Sequence, residues 1–500
     1  MNPEIRITTN IMKKNKKNSV EITETGKIID IKKEIITISG IPNCVFGELL
    51  DFESGDKGLV IEFDDNKIVA LLVGSGIDAK TGDKVVSRGG LFKVPVTEQL
   101  LGRIVNGLVQ PIDGKGSVIA SEYNPVFRDA PPIMSRIPIT ESLKTGIKII
   151  DTMISIGKGQ RELIIGDRQT GKTTLAMDAI INQKNENVIC IYCWVGGSYT
   201  SMVKTIEALN ENGAMDHTIV VAAPASGSST EQYLAPYAAV AIGEYFVEQK
   251  KDVLVVFDNL TRHAWIYRQI ALLLNRSPGR EAYPGDIFYV HSQLMERACR
   301  MDPKIGGSMT FLPIADTLQG DITGYIQTNL VSMTDGQIYT SSVLFNEGFR
   351  PAVDIGLSVS RIGSKVQSPA LKEVSSKLRL EYSQFEELRK LIKMRTKISS
   401  EIAKKISRGQ TLTEILIQPA NAPISEEEEV LIFYAFEVGV LDPFGRQEIV
   451  KFEKNILEFM EKKHPGVLAE LKIMKELTPE IKLALNKAFI EFFKEYQVGM

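Results

Sequence analysis

The chain has 500 residues, of which 43% are hydrophobic and 24% are charged, as in ordinary soluble globular proteins. This length favours roughly three domains. The formal charge of −3 gives no overall attraction to nucleic acid or to an anionic membrane surface. No apolar run is long enough to span a membrane, and no apolar segment follows the N-terminal lysines as in a secretory signal. Four scattered cysteines favour a reducing compartment, so we expect a cytoplasmic protein.

The N-terminal part changes character near residue 27. Residues 1–26 are polar, with lysines between 13 and 17, and lack periodicity, which predicts a flexible N-terminal arm. Residues 27–95 contain short β-branched runs separated by Gly, Asp and Asn. Such closely spaced short strands predict a small antiparallel β-barrel. The predicted strands are 28–31, 35–38, 59–63, 68–73 and 84–87.

Residues 96–372 alternate apolar runs with helix-compatible segments. This alternation predicts a parallel α/β sheet whose two faces are covered by helices. Beyond the phosphate loop described next, the predicted strands are 188–195, 218–222, 253–257 and 287–291.

The motif that organises this region is GDRQTGKT at 166–173, which fits the pattern Gly, four residues, Gly-Lys-Thr. The apolar run 163–165 predicts a strand before it, and 173–183 predicts a helix after it. Backbone amides and the helix N-terminus of such a loop cradle phosphates, the lysine reaches the outer phosphates, and the threonine binds magnesium. A Gly-rich turn that binds nothing is the alternative. The predicted nucleotide-binding residues are Gly166, Asp167, Arg168, Gln169, Thr170, Gly171, Lys172, Thr173 and Thr174.

A carboxylate follows the apolar run 253–257. At the carboxyl edge of a parallel strand, Asp258 would lie beside the phosphate loop and hold a magnesium-bound water. The alternative is an Asp that caps the following helix. Hydrolysis also needs a group that activates water, usually a carboxylate on a neighbouring strand end. Strand 188–195 instead runs into Gly196 and Gly197, and the first acid afterwards is Glu207. The sequence therefore predicts a site that holds a nucleotide but lacks a base.

Cys190 and Cys193 form a C-x-x-C inside the predicted strand 188–195. Their odd spacing on a strand directs the two thiols to opposite faces. This favours two buried core residues over a metal or redox pair.

Residues 373–500 are rich in Leu, Glu and Lys at helical spacing, which predicts a helical domain. Segments 427–440 and 481–496 show the pattern best. The acidic run 426–429 follows Ser425 and indicates a capped helix start rather than an acidic tail.

Several of these motifs together resemble one family. The chain closely resembles the alpha subunits of F-type ATP synthases from about residue 27 to residue 440. The family has an N-terminal β-barrel, a central α/β P-loop (RecA-like) nucleotide-binding domain and a C-terminal all-α helical bundle. The segments that carry the resemblance are GDRQTGKT (166–173), FDNL (257–260), YRQIALLLNRSPGREAYPGD (267–286), TDGQIY (334–339) and RPAVDIGLSVSRIGS (350–364).

The resemblance implies partners and cofactors. Three alpha-type and three catalytic beta-type subunits would alternate in a hexamer around a gamma-type rotor shaft, with a delta-type subunit in the peripheral stalk. Alpha subunits of this family bind ATP or ADP with Mg²⁺ without turning it over, within a rotary, proton-transporting ATP synthase. The resemblance implies no nucleic-acid partner, and a cytoplasmic position on the inner face of the cell membrane, reached only through partner subunits.

The resemblance also assigns residues. Gly197 stands where catalytic beta subunits have glutamate and alpha subunits usually have glutamine. Arg361 follows the alternating run 357–360, which predicts a strand. An exposed arginine is usually solvated, but here the resemblance implies an arginine finger lent to the neighbouring beta site, worth about 10³ to 10⁵ in rate. The remaining nucleotide-binding residues it implies are Asp316, Phe345, Arg350, Pro351 and Gln418.

The chain departs from the family in four places. Residues 1–26 do not resemble the helix that holds the peripheral stalk. Asp316 replaces a glutamate, and Ala420 replaces the second adenine-side glutamine. Residues 393–400, KMRTKISS, are basic where the family has an acidic loop facing the rotor. The N-terminal and rotor-loop departures favour an alternative hypothesis, an alpha-like subunit of a specialised rotary motor that hydrolyses ATP for other work.

A rival class is a self-sufficient hexameric P-loop ATPase of the export or nucleic-acid translocase type. An export enzyme would need a carboxylate near Gly197. A translocase should interleave basic and aromatic residues on its binding surface, whereas the predicted barrel strands carry only Phe63. A scaffold with an empty pocket is a further alternative.

Overall fold

This computed structural model describes residues 6–8, 21–64, 67–74, 78–120, 122–392 and 400–496. The strands, in chain order, are β1 (Arg6–Thr8), β2 (Glu21–Lys32), β3 (Ile35–Ser39), β4 (Glu48–Phe52), β5 (Lys57–Phe63), β6 (Ile68–Val73), β7 (Lys84–Leu91), β8 (Lys93–Val96), β9 (Ile104–Val105), β10 (Glu122–Pro125), β11 (Ser142–Leu143), β12 (Ile156–Gly157), β13 (Glu162–Gly166), β14 (Val188–Val195), β15 (Thr218–Ala223), β16 (Asp252–Asp258), β17 (Cys299–Arg300), β18 (Ser308–Asp316), β19 (Gly336–Thr340) and β20 (Val359–Ser360).

The α-helices, in chain order, are α1 (Lys148–Met153), α2 (Lys172–Asn182), α3 (Tyr199–Glu211), α4 (Ser229–Glu248), α5 (Leu260–Leu273), α6 (Ile287–Met295), α7 (Tyr325–Met333), α8 (Ser342–Asn346), α9 (Pro369–Ser375), α10 (Leu378–Ile392), α11 (Ser400–Leu416), α12 (Glu426–Glu437), α13 (Arg446–Lys463), α14 (Pro465–Met474) and α15 (Pro479–Glu495). In the described ranges, no helix combines the length and the apolar character needed to cross a membrane.

The chain divides into two compact units. Unit 1 contains the described residues up to Ser135, together with Ile189–Glu211 and Met215–Met309. Unit 2 contains Arg136–Val188, Asn212–Ala214 and the described residues from Thr310 onward.

The N-terminal strands of unit 1 form the predicted barrel. Their order is β1-β2-β3-β6-β5-β4-β7, and β2 also pairs with β7, which closes β2–β7 into a barrel. The pairs within it are antiparallel, and the pattern of burial along β4 alternates as expected for a strand with one face in a core. Strand β2 begins at Glu21, ahead of the predicted start of the barrel at residue 27. Residues 1–5 and 9–20 of the predicted arm lie outside the described residues.

Unit 1 also contains part of the predicted α/β region. Strands β16, β14, β15 and β9 are neighbours in that order, and β15 runs parallel to both β14 and β9. The predictions for 188–195, 218–222 and 253–257 are confirmed as β14, β15 and β16. Cys190 and Cys193 are fully buried in β14, and burial raises the pKa of both thiols, which confirms their prediction as core residues.

The predicted strand 287–291 is wrong, because these residues begin helix α6. The run Ile-Phe-Tyr-Val has strand propensity, but propensity is a weak signal in a short segment. Residues Ile287, Val290, His291 and Leu294 of α6 are buried, which is the spacing of one helix face. Tertiary packing of this face therefore decides the conformation.

Unit 2 contains strands β20, β19, β13 and β18 in that order, with β13 parallel to β19 and β18. Every residue of β18 is buried. Sequence analysis did not predict this strand, because Pro313 and its Thr and Met residues obscure the apolar run. The predicted strand 357–360 is also wrong in extent, since only Val359–Ser360 pair, with β19.

The C-terminal helices of unit 2 confirm the predicted helical region. Segments 427–440 and 481–496 correspond to α12 and α15. Helix α12 begins as predicted, because the Ser425 side chain accepts a hydrogen bond from the Glu428 backbone N–H and the first turn is acidic. Residues 393–399 of the basic segment lie outside the described residues.

Candidate nucleotide site

The loop between β13 and α2 has the strand–loop–helix context that the motif predicted. Gly171 precedes the helix with φ +93°, a left-handed conformation that disfavours any side chain. A Cβ placed at Gly171 would have no atom within 4 Å beyond its chain neighbours, so the space at the helix N-terminus is open. Of the other predicted loop residues, Arg168 and Gln169 are exposed, whereas Gly166 and Thr170 are buried. The N-terminus of α2 can therefore receive an anion.

Lys172 is buried in the loop and is held by three oxygens. Its Nζ lies 3.2 Å from Asp316 Oδ1 and donates to the Gly166 carbonyl oxygen at 3.0 Å and to that of Asp167. Asp316 ends β18, where its register partner is Gly166. The aspartate that replaces the family's glutamate thus reaches the lysine, and Arg168 Nε lies 3.7 Å from its other oxygen.

The loop is fixed to neighbouring strands by side-chain hydrogen bonds. The hydroxyls of Thr170 and Thr340 lie 2.7 Å apart. Asp167 Oδ1 accepts from the Thr317 hydroxyl at 2.6 Å and from the Gly320 N–H at 2.8 Å. These bonds preorganise the loop, which lowers the cost of ordering it around a ligand.

A cavity of about 760 Å³ opens from the loop. Its lining includes Thr170, Gly171 and Thr174 at the start of α2, and Asp178 two turns further along. The volume lies within the usual range for small-molecule sites. The cavity wall also contains Arg350, whose guanidinium carbon lies 4.5 Å from the centre of the Phe345 ring.

The structure therefore brings half of the predicted nucleotide-binding residues of unit 2 to one cavity, while the others, including Lys172 and Thr173, belong to the adjoining loop or, in the case of Asp316, contact it. Pro351 and Gln418 line it together with Phe345 and Arg350. The amide of Gln418, however, is engaged in the fold. Its Oε1 accepts from the Lys148 backbone N–H at 2.9 Å, and its Nε2 donates to the carbonyl oxygens of Gly146 at 2.7 Å and Ala422 at 2.8 Å.

Sequence analysis missed seven charged residues of the cavity wall, which are Lys148, Asp178, Glu414, Glu428, Arg446, Glu453 and Lys454. Lys148 is buried, and its Nζ lies 2.7 Å from Glu453 Oε1. Glu428, on the first turn of α12, also lines the cavity. No motif links Lys148 on α1 to the charged residues of the C-terminal helices, so no local signal could have found them.

Asp258 lies in unit 1, buried at the carboxyl end of β16 as predicted. Its Oδ2 accepts a hydrogen bond from the Tyr192 hydroxyl at 3.0 Å. The alternative, a helix cap, is not supported, because Asn259 caps α5 through its side chain. In the described part of the chain, no group of three or more His, Cys, Asp or Glu side chains is arranged to hold a metal ion. Magnesium beside phosphates needs only one or two protein oxygens, so its binding by Thr173 and Asp258 stays a prediction.

Gly197 follows β14 and is buried, with little space beside it. A Cβ at this position would lie 2.3 Å from Trp194 Cζ2 and 2.5 Å from Arg262 Nη1. The Arg262 guanidinium lies 5.9 Å from the Trp194 ring centre. Two buried polar atoms, Trp194 Nε1 and Arg262 Nη1, have no hydrogen-bond partner among the described residues. The Trp194 indole and the Arg262 guanidinium together fill the space that a side chain at position 197 would need.

We expect Gly197→Glu to give no ATP hydrolysis by the chain and to lower its stability by at least about 2 kcal/mol, because overpacking against Trp194 adds to the cost of a buried carboxylate. Melting temperature and phosphate release would be measured. Thr200→Glu is the matched control, since Thr200 is exposed in the first turn of α3, where an acid is tolerated. Hydrolysis by the Gly197→Glu chain would contradict this interpretation.

Arg361 follows β20 on the surface of unit 2. Its backbone N–H donates to the Asp335 carbonyl oxygen at 3.0 Å. The Asp335 carboxylate in turn binds Arg161, whose Nη2 and Nε donate at 2.7 and 3.0 Å. Within the described ranges, the Arg361 guanidinium makes no hydrogen bond or ion pair. The backbone of Arg361 is held by this hydrogen bond, while its guanidinium is exposed and can contact a ligand or a partner.

The strand–loop–helix motif, together with the barrel, the α/β region and the C-terminal helices, defines a P-loop nucleotide-binding protein. Comparison with known proteins identifies its family. The model of the ATP synthase alpha/beta family, nucleotide-binding domain, matches residues 146–360. The beta-barrel domain model of the family matches residues 22–89, and its C-terminal domain model matches residues 367–492. The chain belongs to the ATP synthase alpha/beta family.

Two curated relatives of the chain are alpha subunits within this family. The chain is 43% identical to an "ATP synthase subunit alpha" from Wolinella succinogenes over 474 residues, 95% of each protein. It is 44% identical to an "ATP synthase subunit alpha" from Helicobacter acinonychis over 484 residues, 97% of this chain and 96% of that protein. The predicted resemblance to alpha subunits is thereby confirmed.

Proposed function

We propose that the chain is a non-catalytic, nucleotide-binding alpha-type subunit of an F-type rotary ATPase. It forms an alternating hexamer of three copies with three catalytic beta-type subunits, around a gamma-type rotor shaft. The observation that carries the non-catalytic role is Gly197, which has no side chain to activate water and beside which Trp194 and Arg262 occupy the space. The similarity to alpha subunits over nearly the whole chain supports the assembly.

In this role the chain binds ATP or ADP in the cavity of unit 2. Phosphates lie against the open N–H groups of the loop, and the Lys172 ammonium neutralises part of their charge. Magnesium, when bound, would supply further charge neutralisation, and Thr173 would offer it a hydroxyl oxygen. Phe345, Arg350 and Pro351 provide the wall against which the ribose and base pack.

The chain also contributes to its neighbour. Arg361 is exposed, carries a permanent charge and stands on a fixed backbone, so its guanidinium suits the stabilisation of charge on a phosphoryl group held by a beta-type subunit. Membrane attachment, on the inner face of the cell membrane, then comes through partner subunits. The basic segment 393–400 and the altered N-terminus favour the second candidate, a specialised ATP-hydrolysing motor in place of a proton-coupled synthase.

Magnesium-dependent hydrolysis by the chain alone and by its native complex tests the proposal. We expect the chain alone to bind ATP without turnover and the complex to hydrolyse it. Robust turnover by the chain alone would overturn the proposal in favour of a self-sufficient hexameric ATPase. The subunits found in the complex decide between the two motors, because a delta-type stalk and a proton-conducting ring would exclude the specialised one.

A further inference from the structure

Glu428 stands out among the polar groups of the cavity. Its carboxyl lines the cavity wall but makes no hydrogen bond or ion pair with any residue of the described ranges. The neighbouring charges are paired, since Lys148 Nζ lies 2.7 Å from Glu453 Oε1 and donates to the Ile417 carbonyl oxygen at 3.1 Å. A carboxyl that lines a cavity without a hydrogen-bond partner is a candidate for contact with a ligand.

The cavity runs from the phosphate loop toward Glu428. Its lining follows α2 from Gly171 to Asp178, about 10 Å at 1.5 Å per residue. At that distance the Asn421 backbone N–H donates to Asp178 Oδ1 at 2.7 Å, which fixes the segment leading into α12 beside the second turn of α2. A nucleotide with its phosphates at the loop would therefore direct its base toward the part of the cavity bordered by α12.

Neither of the two positions where the family has adenine-side amides offers a free side-chain donor. Gln418 donates both of its N–H groups within the fold, while its carbonyl oxygen accepts one hydrogen bond and keeps a second acceptor position. Ala420, which lines the cavity, has no polar side-chain atom. A side-chain donor to the base must therefore come from another residue.

We propose that Glu428 reads the base of the bound nucleotide and selects a 6-aminopurine over a 6-oxopurine. This inference rests on the proposed nucleotide site. An un-ionised carboxyl offers one donor and one acceptor side by side, which matches N1 and the 6-amino group of adenine. An ionised carboxylate offers acceptors alone, which match N1–H and the 2-amino group of guanine and oppose the adenine N1 lone pair.

The surroundings of Glu428 increase the un-ionised fraction of its carboxyl near neutrality. Burial raises the pKa of Glu428 to about 7, with Lys148 opposing the shift and Glu453 adding to it. Selectivity for the 6-aminopurine should then decline as the pH rises through 7. The other charged groups lining this cavity are Lys148 on α1, Asp178 on α2, Arg350, Glu414 on α11, and Arg446, Glu453 and Lys454 on α13. Three further acids, Glu426, Glu427 and Glu429, lie on α12 with Glu428.

Titration calorimetry of ATP and of GTP against the full chain, at about one pH unit below and above 7, tests the proposal. The ratio of the two affinities is the readout, because ionisation of the triphosphate affects both ligands alike. We expect the unchanged chain to prefer ATP at the lower pH and to lose several-fold of that preference at the higher pH. Glu428→Gln keeps a donor and an acceptor, so it should retain the preference and lose the pH dependence. Glu428→Ala should lose about tenfold of the preference at the lower pH.

Glu427→Gln is the control, because it removes one negative charge from the same helical turn at a residue that does not line the cavity. An unchanged affinity ratio in Glu428→Ala, or equal effects of the variants at 427 and 428, would overturn the inference while leaving the nucleotide site intact. A chain that binds neither ATP nor GTP would overturn the nucleotide site itself, and the inference with it.

Discussion

Replacing Arg361 with alanine should reduce ATP hydrolysis by the assembled complex about 10³- to 10⁵-fold, the usual contribution of an arginine finger. Folding should be unaffected, because the guanidinium makes no hydrogen bond or ion pair in the described part of the chain and the backbone bond to the Asp335 carbonyl oxygen survives the change. ATP binding to the chain itself should also stay the same, since Arg361 does not line its cavity. Steady-state hydrolysis by the complex containing the variant measures the effect.

The control is Lys365→Ala, which removes an exposed cation four positions further along the chain. It should leave hydrolysis within about twofold of the unchanged complex, because screened surface charges contribute little. A complex that contains Arg361→Ala and still turns over at the full rate would show that the catalytic charge is supplied from elsewhere. That result would contradict the proposal that Arg361 is donated to the beta-type site, but not the proposal of an alpha-type subunit in an alternating hexamer.

Lys172→Met should weaken ATP binding by the chain about 100-fold or more, because a charge-assisted contact to the phosphates is lost. The same change leaves Asp316 without the ammonium that lies 3.2 Å from its carboxylate. Both side chains are less than a tenth exposed, so breaking this pair should also cost about 3 to 5 kcal/mol of folding stability. Binding is measured by calorimetry and stability by denaturant unfolding.

These two effects can be separated. Adding Asp316→Asn to Lys172→Met removes the carboxylate charge that has lost its ammonium neighbour, so we expect stability to recover substantially while binding stays weak. Lys184→Met is the matched control, since Lys184 is exposed just beyond α2 and should change neither quantity. Tight ATP binding by the Lys172→Met chain would mean that the loop is not the phosphate site.

The phosphate loop, the barrel and the strands of the central region could be predicted from sequence because each depends on local pattern. The spacing of Gly166, Gly171 and Lys172 is a contiguous motif, and β14 and β16 are uninterrupted apolar runs. Asp258 could be placed at a strand end for the same reason. Elements whose pattern was interrupted were missed, as β18 was by Pro313.

Helix α6 shows where local reasoning fails. Its first residues favour a strand, and the burial of one helical face overrides that preference. The same limit applies to Gly197. The sequence showed that no acid stands there, but it could not show that Trp194 and Arg262 occupy the adjoining space, because these contacts join separate elements.

The phosphate-binding loop, the barrel, the helical C-terminal region and the missing acid after β14 can all be recognised from the amino-acid sequence. The residues that form the wall of the cavity become apparent only in the folded chain. The amide N–H groups of Gln418, which the resemblance places near the base, donate within the fold, whereas the Glu428 carboxyl makes no hydrogen bond or ion pair with the described residues. A motif can be recognised because its functional residues are close together in the sequence. A cavity wall consists of residues that become neighbours only when elements distant in the sequence pack together.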